Sequence, residues 1–436
     1  MKKAPDCAVF TPACSCPERV LVRKRQKHRP VALPRRQVPD AVRDANAGVR
    51  RSEVSDGEYQ MNSNRKKILY VAEAMGGGVF TFLVGLCNEL VDYYDIYVAY
   101  GLRSQTPDDF KKYFDDRVHL IRVRNFERSI DPRHDIGAFI ELRKIADRVK
   151  PDLIHLHSSK AGVLGRWAFD GKKIPLFYTP HGYSFLMSNY NASKRFSYRM
   201  VEKLSAVRRC TTISCSEGEH KETLGLTKNA RFVNNGINVE EMQKMMDSIE
   251  TCETGGFNVF TLGRICYQKN PSLFNEVAQK LPDVHFVWIG DGELRDMLTA
   301  PNIEVTGWMN REEALRRSMS SDVFILTSLW EGLPMSLLES MYMEKLCLVN
   351  DVIGNRDVIR SGVNGYVCRN ADEFVTAIKG ILENPEKTAE MTAQARKDIL
   401  ENYNTRVMAG KYREIYEEAF APAEKTSRKK KQKQKQ

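Results

Sequence analysis

The chain has 436 residues, 42% of them hydrophobic, and a formal net charge of +11. That length suits two domains of roughly 150–200 residues each, and no run of ~18 apolar residues marks a transmembrane helix. The charge sits at the ends: residues 1–60 hold 13 Lys/Arg against 7 Asp/Glu, and residues 425–436 hold 7 basic residues and no acid, which leaves the body at −2. A near-neutral body excludes a basic nucleic-acid binder. Ten cysteines without a Cys-x-x-Cys pair fit reduced thiols in a cytosolic protein better than a disulfide framework.

Residues 1–60 show neither helical nor strand periodicity and no opening signal peptide. They read as a disordered extension ahead of a biological start at Met61, with a genuine basic arm as the alternative. From Lys67 strands and helices alternate. KILYVAE is an apolar strand, Gly76, Gly77 and Gly78 form a loop, and VFTFLVGLCNELV is a helix with an apolar face. Strand, glycine loop and helix open a Rossmann-like unit in which small residues let the backbone approach a ligand. The loop is not Gly-x-Gly-x-x-Gly, so it gives little support to nicotinamide dinucleotide binding.

DIYVAY reads as a strand, followed by a helix from about Pro107, the strand HLIRV and a helix from Ile136 to Val149. DLIHLHSSKAGVLGRWAF is strand, loop and helix, and places His157, Ser158 and Lys160 at a strand carboxyl end, where open α/β sheets bind ligands. Lys160 and Arg166 are candidates to meet an acceptor phosphate. LFYTPHGYSF sets His181, Gly182 and Tyr183 after the next strand. Residues 194–210 form a basic amphipathic helix with Phe196, Met200, Val201 and Leu204 apolar. An ordinary domain helix with a solvated basic face is the preferred reading, and contact with an anionic membrane the other.

Residues 240–257 suit an interdomain connection. FNVFTLGRICYQKN then restarts the pattern, with Gly263, Arg264 and Lys269 in the loop after the strand. Two cations there can neutralise a departing diphosphate without a metal. Gly290 belongs to a GDG turn, and Gly307, Trp308 and Met309 offer backbone groups and a ring edge to a base, Trp308 being equally readable as core. Residues 371–384, 386–403 and 405–419 read as helices, and the basic tail as low-complexity and solvated.

The segment 322–341, DVFILTSLWEGLPMSLLESM, organises the rest. Val323 to Leu326 is a short buried strand. Pro334 opens a helix carrying Leu337, Leu338 and Met341 on one face, proline being favoured at the first helical position. The free amides of that helix end make an anion site. Glu331 and Glu339 bracket it, and carboxylates beside an anion site suit hydroxyls. One anion plus several hydroxyls describes a sugar nucleotide.

Glu331 and Glu339, in the wording EGLPMSLLES, resemble the E-x7-E pattern of the family 4 retaining glycosyltransferases, and GR-x4-K ending at Lys269 resembles that family's phosphate loop, with Asn270 where glycine is common. The likeness covers about residues 65–420. It implies an α/β GT-B fold, two Rossmann-like domains facing across a cleft: residues 61–239 on the acceptor side, 240–404 on the donor side, 405–424 crossing back to the first domain, and 425–436 a basic tail. It also implies retaining transfer of a sugar from a nucleotide sugar, with no cofactor and no metal; no Asp-x-Asp pair occurs in the chain. By position, Glu339 would hold ribose, Glu331 the sugar, Arg264 and Lys269 the diphosphate, and His181 the sugar from the opposite domain. Gly77, Gly78, Gly263, Gly290, Gly307, Trp308, Met309, Gly332, Leu333, Pro334 and Met335 complete the donor site, and His157, Ser158, Lys160 and Tyr183 the acceptor side. HLHSSKAGVLGR with YTPHGYSF is similar to bacterial capsular and exopolysaccharide transferases. That suggests a UDP-hexose or UDP-N-acetylhexosamine donor, a polyprenyl-diphosphate-linked glycan acceptor, and a cytoplasmic enzyme at the inner membrane face. A sugar-nucleotide epimerase and a non-catalytic sugar-nucleotide-binding scaffold are the alternatives.

Overall fold

The computed structural model describes residues 65–73, 75–103, 106–127, 131–249 and 256–421, all within one compact unit. The expectations for the first 60 residues, for a start at Met61 and for the basic tail lie outside the described residues.

The first sheet is built from β1 (Lys67–Ala72), β2 (Asp95–Tyr100), β3 (His119–Arg122), β4 (Leu153–His157), β5 (Leu176–Thr179), β6 (Thr211–Ser214) and β7 (Ala230–Phe232), all parallel in the order β3-β2-β1-β4-β5-β6-β7. Its crossovers are α1 (Gly77–Leu90), α2 (Pro132–Val149), α3 (Ser159–Ala168), α4 (Ala192–Ser205) and α5 (Glu217–Leu224). The chain passes through α6 (Val239–Ser248) to the second sheet. There β8 (Asn258–Leu262), β9 (His285–Ile289), β10 (Ile303–Val305), β11 (Val323–Leu326), β12 (Leu346–Asn350) and β13 (Tyr366–Cys368) are parallel in the order β10-β9-β8-β11-β12-β13. The helices here are α7 (Pro271–Lys280), α8 (Arg311–Met319), α9 (Met335–Tyr342), α10 (Ala371–Glu383) and α11 (Pro385–Asn402), followed by α12 (Thr405–Phe420).

Sheets covered on both faces need strands that are apolar on both sides. Residues 68–72, 153–157 and 323–326 are buried throughout. Each sheet is sandwiched between two apolar clusters. α12 belongs to the first of these although it follows the second sheet: Met408, Ala409, Tyr412 and Tyr416 are buried against α1 and β1.

The strand order reverses between β1 and β4 in the first sheet and between β8 and β11 in the second. At such a switch point the loops leaving the two central strands run in opposite directions and leave a crevice at the strand carboxyl ends. The loops after β1, β4, β8 and β11 carry the glycine run, Ser158, Arg264 with Lys269, and Glu331 respectively. The two passages between the sheets touch: Ile237 N–H donates to Tyr403 O (2.9 Å) and Thr405 N–H to Ile237 O (3.0 Å). A Cβ on Gly236 would stand 2.3 Å from the Asn404 carbonyl, so only glycine fits there.

Three local expectations are corrected. The helix from Pro107 is only a 3-10 turn over Phe110–Tyr113, since no apolar stripe long enough to dock a helix follows that proline. Pro334 is the residue capping α9 and has an extended backbone, so the helix proper begins at Met335. The amphipathic helix of residues 194–210 is α4, ending at Ser205, and its apolar residues are not packed into the core: Phe196 is 64% exposed, Leu204 57%, and Met200 and Val201 are exposed as well, Val201 beside the cavity.

Candidate functional site

A cavity of about 1040 Å³ lies between the two sheets, walled by the loops at both switch points. From the second sheet, β8 is followed by Gly263, whose φ of +146° is open only to glycine and turns the chain toward Arg264. Gly290 backs this turn, since a Cβ there would meet the Gly263 carbonyl at 2.3 Å. Trp288 Nε1 donates to the same carbonyl at 2.8 Å. Arg264 then reaches Glu293 (Nη2 to Oε2, 2.7 Å) and Lys269 reaches Glu331 (Nζ to Oε1, 2.7 Å). The second Glu331 oxygen accepts from Gln268 Nε2 at 3.4 Å. Thr327 Oγ1 donates to the Lys269 carbonyl at 2.7 Å, which ties the β8 loop to the end of β11. Met335 and Ser336, at the amino end of α9, line the cavity, and no side chain caps that end.

The first sheet supplies the opposite wall. Gly77 and Gly78 open α1 at the cavity, with room at Gly77 and only Met335 Cγ, 3.8 Å away, near a Cβ on Gly78. His181 stands at a φ of +54°, which costs a non-glycine residue and persists only where neighbours enforce it. Gly182 N–H donates to Glu219 Oε1 at 2.6 Å. The walls meet close by: a Cβ on Gly332 would lie 3.2 Å from Gly182 N and 3.0 Å from Cys215 Sγ. Asn235 Nδ2 donates to Leu333 O (3.0 Å) and Gly218 N–H to Asp357 Oδ2 (2.8 Å), bonding one domain to the other beside the site.

Of the residues singled out in the sequence, the cavity brings together Gly77, Gly78, Ser158, Lys160, His181, Gly263, Arg264, Lys269, Glu331, Gly332, Leu333, Pro334 and Met335. Others stand elsewhere. Glu339 is held by Arg311 (Nη1 to Oε1, 3.0 Å). Gly307 pairs with Gly290 as an isolated bridge, and Trp308 (64% exposed) and Met309 lie on the surface, so Trp308 is not core. His157 is buried behind His181. Tyr183 is buried with its hydroxyl on Thr223 Oγ1 at 2.8 Å. Lys160 is engaged by Asp135 (2.6 Å) and the Glu127 carbonyl (2.7 Å). Arg166 is a correction: it points into the domain, 2% exposed, with Nη2 2.6 Å from Glu202 Oε2 and its guanidinium over Tyr178.

Sequence reasoning missed Glu73 and Arg103. They follow adjacent strands, lie 30 residues apart, and pair on the cavity wall with Nη2 to Oε2 at 2.5 Å, leaving Glu73 Oε1 buried without a protein partner. Among the described residues no cluster of three or more His, Cys, Asp or Glu is placed to hold a metal ion.

Residues 76–241 match the family model described as Glycosyltransferase Family 4, and residues 249–398 the one described as Glycosyl transferases group 1. An Escherichia coli UDP-Gal:alpha-D-GlcNAc-diphosphoundecaprenol alpha-1,3-galactosyltransferase is 28% identical over 334 residues, 70% of this chain and 85% of its own. A Campylobacter jejuni N,N'-diacetylbacillosaminyl-diphospho-undecaprenol alpha-1,3-N-acetylgalactosaminyltransferase is 23% identical over 344 residues, 71% of this chain and 89% of its own. In structure, the sucrose-phosphate synthase of Thermosynechococcus elongatus superposes with a TM-score of 0.68 at 15% identity, over 82% of this chain and 99% of that one. Anabaena HepE in complex with UDP-glucose gives 0.65 at 18% identity, over 81% and 99%.

Proposed function

The chain belongs to the family 4 glycosyltransferases, with the GT-B architecture, and from that premise we propose a retaining, metal-independent transfer of a hexose or N-acetylhexosamine from its UDP-sugar to a hydroxyl of a polyprenyl-diphosphate-linked glycan. The observation that carries this reading is the facing of two unlike walls across one cavity: two cations, each paired with a carboxylate, from the second sheet, and His181 with the glycine loop from the first.

Each wall has a chemical task. Breaking the bond between the anomeric carbon and the phosphate oxygen leaves the electron pair on UDP, a charge that Arg264, Lys269 and the α9 amides, all on the cavity wall, would neutralise. Glu331 would accept hydrogen bonds from the sugar's hydroxyls, and Glu339, outside the cavity lining and held by Arg311, would take ribose only on parting from that arginine. The acceptor oxygen bonds to the anomeric carbon on the face the phosphate leaves. Its proton passes to the departing phosphate oxygen, so no protein base is needed. The Glu73–Arg103 pair is electrically neutral and offers both donor and acceptor atoms, which suits an acceptor sugar better than a phosphate.

A lipid-linked acceptor is supported by α4. Phe196, Met200, Leu204 and, just beyond, Val207 form an outward apolar ridge flanked by Lys194, Arg195, Arg199, Lys203 and Arg208. The acid in this helix, Glu202, is turned inward to Arg166. Tyr198 and Val201 carry the same helix into the cavity wall. An apolar ridge with a basic border fits the interface of an anionic bilayer, and we assign this face to the cytoplasmic leaflet that presents the acceptor. The α1,3-transferases above are named for acceptors on undecaprenol diphosphate.

The test is turnover of the full chain with a panel of UDP-sugars, a diphosphoprenyl-GlcNAc acceptor and EDTA, with the product's anomeric configuration read by NMR. UDP release that requires the acceptor and gives an α-linked product supports the proposal. An inverted linkage, turnover only on adding a divalent cation, or a sugar isomerised without UDP release refutes it.

A further inference from the structure

Behind the cavity wall lies a buried row of imidazoles that the reaction above leaves without a task. His155 is fully satisfied, with Nδ1 2.6 Å from Tyr416 Oη and Nε2 2.9 Å from Thr179 Oγ1. His157, the last residue of β4, is different. Its Nδ1 lies 3.1 Å from His181 Nε2, while its own Nε2 is buried with no protein hydrogen-bond partner, among the rings of Tyr70, Phe82 and His155. His181, in turn, is pinned by its left-handed backbone and by the edge of Phe82, with centroids 4.6 Å apart and planes at 70°.

A neutral imidazole has one donor and one acceptor nitrogen. Burial holds His157 and His181 below the usual histidine range, His181 at about 3, so both rings are neutral near pH 7. Two arrangements satisfy the 3.1 Å contact. If His181 donated, His157 would carry its proton on Nε2, leaving a buried N–H unpaired. If His157 donates from Nδ1, only a lone pair is left without a partner. Orphaned buried N–H groups are the rarer and costlier of the two. The second arrangement therefore holds, and it requires the His181 proton to sit on Nδ1. Among the described residues Nδ1 of His181 makes no protein hydrogen bond, and His181 lines the cavity.

We propose that His157 is a positioning residue that fixes His181 as the Nδ1–H tautomer, so that the cavity is offered a hydrogen-bond donor and not a base. On the transferase reading this donor would face a hydroxyl oxygen of the transferring sugar, the group that the family resemblance already sets beside His181. A Cβ on Gly332, next to Glu331, would stand 3.3 Å from the His181 carbonyl carbon, so the backbones that carry the histidine and the carboxylate come together at the cavity that both residues line. The sugar would be gripped between a donor on one wall and an acceptor on the other. The identity of the ligand rests on the transferase reading; the tautomer does not.

Two measurements test it. In ligand-free, full-length protein labelled with 15N-histidine, the His181 signal, assigned by its loss in His181→Gln, is expected to show a protonated Nδ1 and a bare Nε2. Protonation at Nε2 overturns the proposal whatever the enzyme's activity. His157→Asn places an amide N–H where Nδ1–H stood, and His157→Leu removes it. The leucine variant is expected to lose about tenfold in kcat at unchanged donor KM, one hydrogen bond's worth. The asparagine variant should stay within about threefold of wild type on the same scale. Equal damage in both, or full kcat in the leucine variant, refutes the positioning role. The expected tautomer in a protein inert toward every lipid-linked acceptor would refute the acceptor assignment instead.

Discussion

Lys269 and Glu331 neutralise each other on the cavity wall, Nζ to Oε1 at 2.7 Å, although the proposed transfer gives each a separate partner in the donor. On that proposal donor binding would have to part them, which lets one residue's loss help the other. Lys269→Ala removes a charge-assisted bond of about 1.5–3 kcal/mol and should weaken UDP roughly 10- to 150-fold. Glu331→Gln frees Lys269 for phosphate, so UDP affinity should hold or rise while turnover falls about 100-fold or more. Calorimetry with UDP and a turnover assay check both. UDP weakened equally in the two variants would mean the pair does not compete with the donor.

The histidine row is expected to make the first domain acid-labile. Burial lowers the pKa of His155, His157 and His181 below the unfolded value near 6.5, His181 to about 3. Below that value the unfolded chain binds protons that the folded chain refuses, so stability present above pH ~6.5 is lost as pH falls. With three sites the slope approaches about 4 kcal/mol per pH unit. Urea melts at about pH 7 and about pH 5 measure it, and His157→Asn should remove roughly one proton from the slope. A flat profile across that window would show the row titrating freely.

Arg166 is a structural anchor. Its side chain is 2% exposed, bonds Glu202 at 2.6 Å and the Gly162 carbonyl at 2.8 Å, and lies over Tyr178, which itself donates to Glu202 at 3.0 Å. Arg166→Ala strands a buried carboxylate at a cost of about 3–5 kcal/mol. The melting temperature should drop roughly 6–20 °C, with UDP affinity retained in the protein that remains folded. Arg166→Met combined with Glu202→Leu should recover much of the loss; a double variant no better than the single one would point to packing and not to charge.

The α4 ridge predicts membrane binding that depends on both its components. Phe196→Glu or Leu204→Glu should reduce binding to anionic vesicles about tenfold or more, and raising the salt concentration should weaken the wild type, since the flanking cations are screened. Turnover on a short-chain, water-soluble acceptor should be unaffected. Vesicle binding that survives both substitutions would assign the contact to another surface.

Most of the architecture was legible because parallel sheets write themselves as apolar runs, and because the chemistry sits where those runs end. GR-x4-K and Glu331 were found this way. Four features were not. Arg166 reads as a surface charge, since nothing near LGRWAF announces a partner 36 residues on. Glu73 and Arg103 become neighbours only once β2 is known to lie beside β1. Periodicity says which residues of α4 share a face but not which face is buried, so the expected solvated basic helix turned out to expose its apolar side. Glu339 does not line the cavity, and its partner Arg311 comes from the start of α8, outside the motif.

Ile237 and Tyr403 to Thr405, where the chain leaves the first domain and returns to it, are bonded side by side. A single connecting strand would permit swivel about its own axis as readily as opening. Two passages bonded side by side resist that swivel, since turning one wall past the other would have to break the bonds between them, and any opening of the cavity is steered onto a single hinge. α12 latches the seam to the first domain, through Thr405 Oγ1 on Glu89 Oε1 at 2.6 Å and the buried Tyr412 and Tyr416. Cutting the chain after Asn402 would thus remove that latch together with part of the first sheet's own core, Met408, Ala409, Tyr412 and Tyr416.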